Sequence, residues 1–308
     1  MAAGLAVSLI VAAAVGLGVA RYNTAESDID VGDCAMSSGW SIPGGESIDG
    51  DVLLDGVARR AVVLLGERHD SPAHHQWQLD TLRALHARRP SLVLGLEMFP
   101  RRVQPALDAW VRGELDEAEF LARSDWANVW RFDPDLYMDI FRYAREHAIP
   151  MRALNVEATL TRSVGRAGFE ATPVDQREGV TRPAEASKRY ARWLGQVYRM
   201  HRPPEQAADG GTLAHFIDAQ LVWDRAMAQV IRDAVIERPD ALVVGLIGSG
   251  HLRHGDGVAH QLDDLGMSDH ATLLPWDPRS DCRSLVAGVA HAIYVVKAAP
   301  APRAAPPG

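Results

Sequence analysis

The sequence predicts an α/β fold: a mainly parallel central sheet flanked by helices, with an inserted, mostly helical lid subdomain. Three observations carry that prediction. Short apolar runs at 61–65, 91–96 and 242–247 have the length and bulk of strands buried on both faces, as parallel strands are. Longer segments of helical period separate them. Each run ends at polar groups beside glycine or proline, where a parallel sheet presents its ligand crevice.

Taken in order, the run Ala61-Val62-Val63-Leu64-Leu65 is the first strand and ends at Gly66-Glu67-Arg68-His69. Pro72 then opens a helix, a position where its missing N–H costs nothing, and Pro90 stops it. The second strand, 91–96, ends at Glu97. Helical segments follow at about 104–112, 116–124 and 134–147. The last carries Tyr137, Ile140, Phe141 and Ala144 at core-face spacing. A third short strand, 151–154, ends at Asn155. Between 162 and 211 the periodicity weakens among prolines and a glycine pair, which marks the lid. A long helix spans 213–237, and the strand 242–247 closes at Gly248-Ser249-Gly250-His251. A helix at 257–265 and strands at 272–274 and 290–296 complete the domain, expected over 51–297.

The flanks read differently. Residues 2–20 are Ala, Val, Leu, Ile and Gly with one serine and no charge, a signal peptide or membrane anchor that lacks the usual basic start. Residues 21–50 are a polar linker or arm, and 298–308 an Ala-Pro tail expected to be disordered. The leader favours an extracytoplasmic location. Cys34 and Cys282 are then either a disulfide or two free thiols, and neither belongs to a C-x-x-C metal motif. The net charge of −8 and the absence of a long basic run argue against nucleic acid as a partner.

The chemistry gathers at strand ends. Glu67 and His69 are two residues apart and able to face one side, and Glu97, Asn155 and His251 end neighbouring strands. Carboxylates and imidazoles in one cleft suit general acid–base work or metal ligation, although each alone is equally a loop cap. Asp224 shares a helix face with Gln220 and Met227 and reaches the cleft if that face turns inward. His74 does so if the helix start does. No G-x-S-x-G, G-x-x-x-x-G-K-[ST] or G-x-G-x-x-G motif occurs, so serine hydrolysis by an elbow, P-loop chemistry and dinucleotide binding are disfavoured.

The segment Leu64-Leu65-Gly66-Glu67-Arg68-His69-Asp70-Ser71-Pro72-Ala73-His74-His75 resembles the opening motif of the ChaN-like haem-binding proteins, iron-regulated lipoproteins of bacteria. Leu96-Glu97-Met98-Phe99, Gln104-Pro105, Asp125-Trp126, Ala153-Leu154-Asn155, the run from Ala219 to Ala228 and Gly248-Ser249-Gly250-His251 match in the same order. The resemblance implies haem as cofactor, a role in iron or haem acquisition or handling, and a homodimer enclosing haem cofacially. It also implies a tyrosine as iron ligand, aided by a histidine of the second subunit. Tyr190 and Tyr198 are the candidates, with His201 as the nearby imidazole. The same residues also read as the core stripe of a helix. Cys34 follows Asp33, unlike a usual lipidation site, so membrane attachment is expected only if the leader anchors the chain. The fold group also resembles erythromycin-esterase-like and metal-dependent protease-like proteins, in which a Gly-Glu-x-His element carries hydrolysis. The alternative is therefore a hydrolase, with or without a divalent metal, using Glu67, His69, Glu97 and His251.

Overall fold

The computed structural model describes residues 38–201, 212–277 and 284–297. The expected leader, most of the arm, Cys34, Cys282, the tail, the end of the lid at 202–211 and the side chain of His201 lie outside the described residues. Among the described residues no helix is long and apolar enough to cross a membrane.

The strands are β1 (Gly39–Ser41), β2 (Val62–Glu67), β3 (Leu92–Pro100), β4 (Met151–Asn155), β5 (Leu242–Gly248), β6 (His270–Trp276) and β7 (Ala292–Val295). They form one seven-stranded sheet in the order β1-β7-β6-β2-β5-β3-β4. Every pairing is parallel except β1 with β7. The polar stretch read as an arm thus ends in an edge strand, three residues long and too short to show a period.

The helices are α1 (Gly50–Val57), α2 (Pro72–Arg88), α3 (Gln104–Val111), α4 (Glu117–Arg123), α5 (Trp126–Val129), α6 (Asp135–Glu146), α7 (Ala158–Ala167), α8 (Lys188–His201), α9 (Leu213–Glu237) and α10 (Val258–Asp264). Alternate side chains of each strand serve opposite layers, as the pleat requires. Val63 and Leu65 of β2 join a core with α1, α2, α3 and α6, while Val62 and Leu64 join one with α9 and α10. The first core is aromatic: Phe141 packs 5.7 Å from Phe99, 5.6 Å from Phe120 and 5.9 Å from Trp126, centre to centre.

Local chemistry sets the boundaries. Ser71 accepts the N–H of His74 to cap α2, and Pro72 occupies its first turn. Asp116 and Glu119 form a reciprocal capping box on α4. Thr212 caps α9 by accepting from His215. The lid segment is not wholly helical. Between α7 and α8 an extended strap crosses α9 and α10, and glutamine amides satisfy its backbone. Gln229 accepts from Thr181 N–H (2.9 Å) and donates to the Gly179 carbonyl (3.2 Å). Gln261 does the same for both backbone groups of Ala184 (2.9 and 3.0 Å). Neither glutamine breaks the helical pattern of its sequence, so the strap left no signal in it.

The β5 strand lies between β2 and β3, so the carboxyl ends carrying Glu67, Gly248 and Glu97 are neighbours. Phe141 is fully buried; its replacement by alanine is expected to cost about 3–5 kcal/mol in urea unfolding. A loss under about 1 kcal/mol would show that this aromatic layer is not the packed core described.

Candidate functional site

Two matched units meet at the end of β5. In the first, Glu67 leaves β2 with its carboxylate buried, and His69 Nδ1 lies 2.6 Å from Glu67 Oε1. Tyr137 on α6 donates its hydroxyl to the same oxygen at 2.7 Å. In the second, His251 Nδ1 lies 2.6 Å from Asp224 Oδ1 on α9. Tyr190 on α8 donates to Asp224 Oδ2 at 2.9 Å. In each unit a tyrosine and an imidazole share one carboxylate, which fixes the Nδ1 side of the ring. No described residue hydrogen-bonds Nε2 of either ring.

Glu97 stands between the units. Its Oε2 accepts the backbone N–H of Gly248, and its Oε1 lies 3.7 Å from His251 Nε2. Gly248 is required for space: a Cβ there would fall 2.8 Å from His69 Cε1 and 3.3 Å from Glu97 Oε2. Trp130 packs edge-on against His69 at 4.6 Å, and Trp223 against His251 at 5.3 Å. His75 completes the first unit. Its Nε2 bonds the His69 carbonyl and its Nδ1 the Gln78 Oε1, each at 3.1 Å, while Gln78 donates to the carbonyls of Leu65 and Gly66.

The electrostatics follow from burial and pairing. Burial disfavours the Glu67 charge, but His75 nearby and the bonds from His69 and Tyr137 outweigh it and hold the carboxyl at about 2. Burial likewise opposes the charge on His251, yet Asp224 and, beyond it, Glu97 lift the ring to about 9. His69 is raised as well: burial opposes its charge, and the Glu67 bond and the Glu97 charge override it. His74 runs the other way, held at about 4 by burial and by Arg68 and His75. For Tyr137 and Tyr190, burial and then the adjacent carboxylate put deprotonation far above the ordinary phenol range.

Of the residues singled out in the sequence, the structure brings Glu67, His69, Glu97, Asp224 and His251 together. Asn155 touches only the scaffold: it donates to the Glu97 carbonyl (2.9 Å) and accepts from Val156 N–H (2.8 Å). His74 accepts from Arg68 N–H at 2.9 Å on the flank of the cluster, and its Nε2 has no partner. The expected cleft is nearly sealed, with Glu67, His69, Glu97 and His251 exposed by only 3, 4, 2 and 3%. An open cavity of about 560 Å³ lies instead at the amino ends of β2 and β6, beside Leu53, Arg60, Asp269 and His291. The divalent metal expected as an option finds no support in the geometry. Glu67 and Asp224 turn toward ring Nδ1 atoms, and among the described residues no three His, Cys, Asp or Glu side chains are placed to hold a metal ion.

Sequence reasoning missed Tyr137 as part of the site, because at its spacing on α6 it is indistinguishable from the apolar stripe. It also missed Trp130, Trp223 and the crowding at Gly248.

With this geometry in view, the comparisons fall into place. The family model described as haem-binding uptake, Tiki superfamily, ChaN matches residues 53–262. The chain belongs to the ChaN haem-binding family. A solved structure of ChaN of Campylobacter jejuni with cofacially bound haem is similar, with 19% identity and a TM-score of 0.65. The match covers 82% of this chain and 94% of that one. An erythromycin esterase in its open conformation aligns with 14% identity and a TM-score of 0.48, over 79% of this chain and 77% of that one. RRSP, a toxin effector domain from Vibrio vulnificus, aligns with 17% identity and a TM-score of 0.43, over 69% of this chain and 34% of that one. These structural likenesses concern the fold alone. A comparison with curated proteins finds no match by sequence.

A ferric haem ligated by tyrosine needs a phenolate oxygen and apolar cover for the porphyrin. Tyr198 is partly exposed on α8 and packs 5.4 Å from Phe216, and Leu213 exposes apolar surface at the start of α9. Tyr190 does not fit. Its hydroxyl is held by Asp224 in a fully buried position, where the phenolate is disfavoured.

A pH prediction follows from the raised ring. Because His251 is lifted from 6.5 to about 9 on folding, its stabilising contribution is full below pH 6.5 and fades as pH rises through 9. Chemical unfolding across pH 6.5–10 is expected to show this decline, and Asp224→Asn to flatten it. An unchanged slope in the variant would refute the pairing.

Proposed function

We propose that this chain is an extracytoplasmic haem-binding protein of haem handling or iron acquisition, working as a homodimer. The ChaN family match over residues 53–262 carries this reading. The apolar leader at 2–20 supports export, whether the product is secreted or attached to the envelope. Tyr198 is the residue proposed to hold the iron, with Phe216 and Leu213 supplying apolar cover. The side chain of His201, the proposed second imidazole, lies outside the described residues. Bound haem would supply a ferric centre, and the residues of the chain would bind and shield it.

Hemin titration is expected to give a Soret band, with dimerisation seen by gel filtration. Tyr198→Phe is expected to shift the band and weaken binding by about tenfold or more, on the order of 1.4 kcal/mol. The same band and affinity in the variant would remove Tyr198, and no band in the parent would remove the function.

One observation favours a second reading, acid–base hydrolysis at the strand-end cluster: two carboxylate-oriented imidazoles flank Glu97, and no described residue hydrogen-bonds Nε2 of either ring. In that reading Glu97 is the general base that takes the proton of an attacking water. His69 and His251 hydrogen-bond the oxyanion through Nε2; as the intermediate collapses, His251 gives its one proton to the leaving group and regains one from Glu97, 3.7 Å away. Glu67, already accepting from Tyr137 and His69 and held ionised, orients His69 and is not the base. The near-complete burial of the cluster requires an opening motion for substrate entry. An ester and peptide screen tests the reading. Glu97→Gln and His251→Ala are expected to lower any turnover by about 10²-fold or more, and turnover indifferent to both would end it.

A further inference from the structure

We infer that Tyr190 is a positioning residue that acts through Asp224 to fix the ring of His251, in the way that Tyr137 acts through Glu67 on His69. The use of the ring in catalysis rests on the hydrolytic reading above; the positioning itself does not.

Tyr190 sits in the first turn of α8, immediately after the strap, and the chain anchors it on both sides. Ser187 Oγ donates to Asp256 Oδ1 at 2.7 Å and accepts the N–H of Tyr190 at 3.0 Å. Arg189 spans both oxygens of Asp256 at 2.6 and 3.1 Å and the carbonyl of His254 at 3.0 Å. Upstream, Arg225 pairs with Asp264 at 2.6 Å and donates to Thr181 Oγ1 at 2.9 Å, beside the glutamine clasps. These bonds anchor the backbone on both sides of the tyrosine. The hydroxyl so placed meets Asp224 on the oxygen that His251 leaves open, Oδ2 against Oδ1.

A carboxylate gripped at one oxygen by a phenol and at the other by an imidazole has one orientation. The phenol bond also draws charge from Asp224, so it tempers the hold of Asp224 on the imidazolium. The other groups facing His251 are Glu97 from β3, His69 from the end of β2 and Trp223 from α9. Of the described tyrosines, Tyr137 and Tyr190 alone donate to a carboxylate of the cluster, one to each unit. The second unit is therefore complete only with the strap and α8 docked, whereas the first is built wholly on the scaffold.

The test is the titration of the histidine ring Cε1–H signals by NMR in the full chain, with His69 and His251 assigned by single substitution. Tyr190→Phe keeps the ring stacking on Trp193 (5.7 Å, 7°) and removes only the hydroxyl. The expected result is an upward move of the His251 midpoint by about half a unit, a threefold change in proton affinity, with His69 unmoved. Tyr137→Phe is expected to move His69 and leave His251. Should Tyr190→Phe fail to fold, 3-fluorotyrosine incorporated throughout retains the shape and donates more strongly, so both midpoints are expected to fall. A His251 midpoint within about 0.2 units of the parent in the phenylalanine protein, or in the fluorinated one, overturns the inference. Turnover measured alongside separates the two claims. A shifted midpoint without hydrolysis leaves the positioning standing and the hydrolytic reading refuted, and hydrolysis without a shift does the reverse.

Discussion

An ionised carboxylate sealed from water is costly unless its oxygens are met, and the carboxyl ends of β2, β3 and β5 are arranged around that constraint. Glu67 receives His69 and Tyr137 on one oxygen; the other accepts no hydrogen bond among the described residues and faces His75 Nδ1 only electrostatically, at 3.5 Å. Asp224 receives His251 and Tyr190, one on each oxygen. Glu97 receives the Gly248 N–H. The partners come from many parts of the chain: the β2–α2 turn, α6, α8 and the end of β5. Removing one partner would leave a buried charge unmet, so the site ties these layers together.

The sheet makes this convergence possible. Inserting β5 between β2 and β3 places three strand ends side by side, and the parallel direction points them the same way. Apolar layers on both faces then surround the strand-end side chains and keep them from solvent. In such surroundings a hydrogen bond between a carboxylate and a ring is strong and directional. The opposed shifts of Glu67 and His251 are the consequence.

The fold was legible in the sequence because its strands are short apolar runs bounded by glycine and proline, and its long helices carry caps. Thr212 before Leu213 and Pro239 after Glu237 bracket α9 closely. The strand-end residues Glu67, His69, Glu97 and His251 stood out because a charge at the end of a buried run needs a reason. Asp224 was weaker, since a helix face alone does not say which side is buried. Tyr137 was invisible as a site residue, and Tyr190 stood out only as a candidate iron ligand: a tyrosine in a helical stripe looks the same whether its hydroxyl meets solvent or a carboxylate. The strap was invisible for a related reason, since Gln229 and Gln261 bond to backbone, and backbone acceptors have no signature in sequence.

The helix α8 joins the haem reading to the cluster. Its inner side carries Tyr190 on Asp224 and Leu194 against Leu221, and further along it carries Tyr198 against Phe216 and the exposed Met200. A helix of this length moves largely as a rigid body, because shearing it breaks its own hydrogen bonds. A ligand that pulls on Tyr198 therefore also loads the bond at Tyr190, about two turns away. If Tyr198 holds haem as proposed, haem capture at the outer end and orientation of His251 at the inner end are linked by one element. A ligand that favours one position of α8 must, by the reciprocity of linkage, be favoured in turn by whatever holds His251 in the matching state.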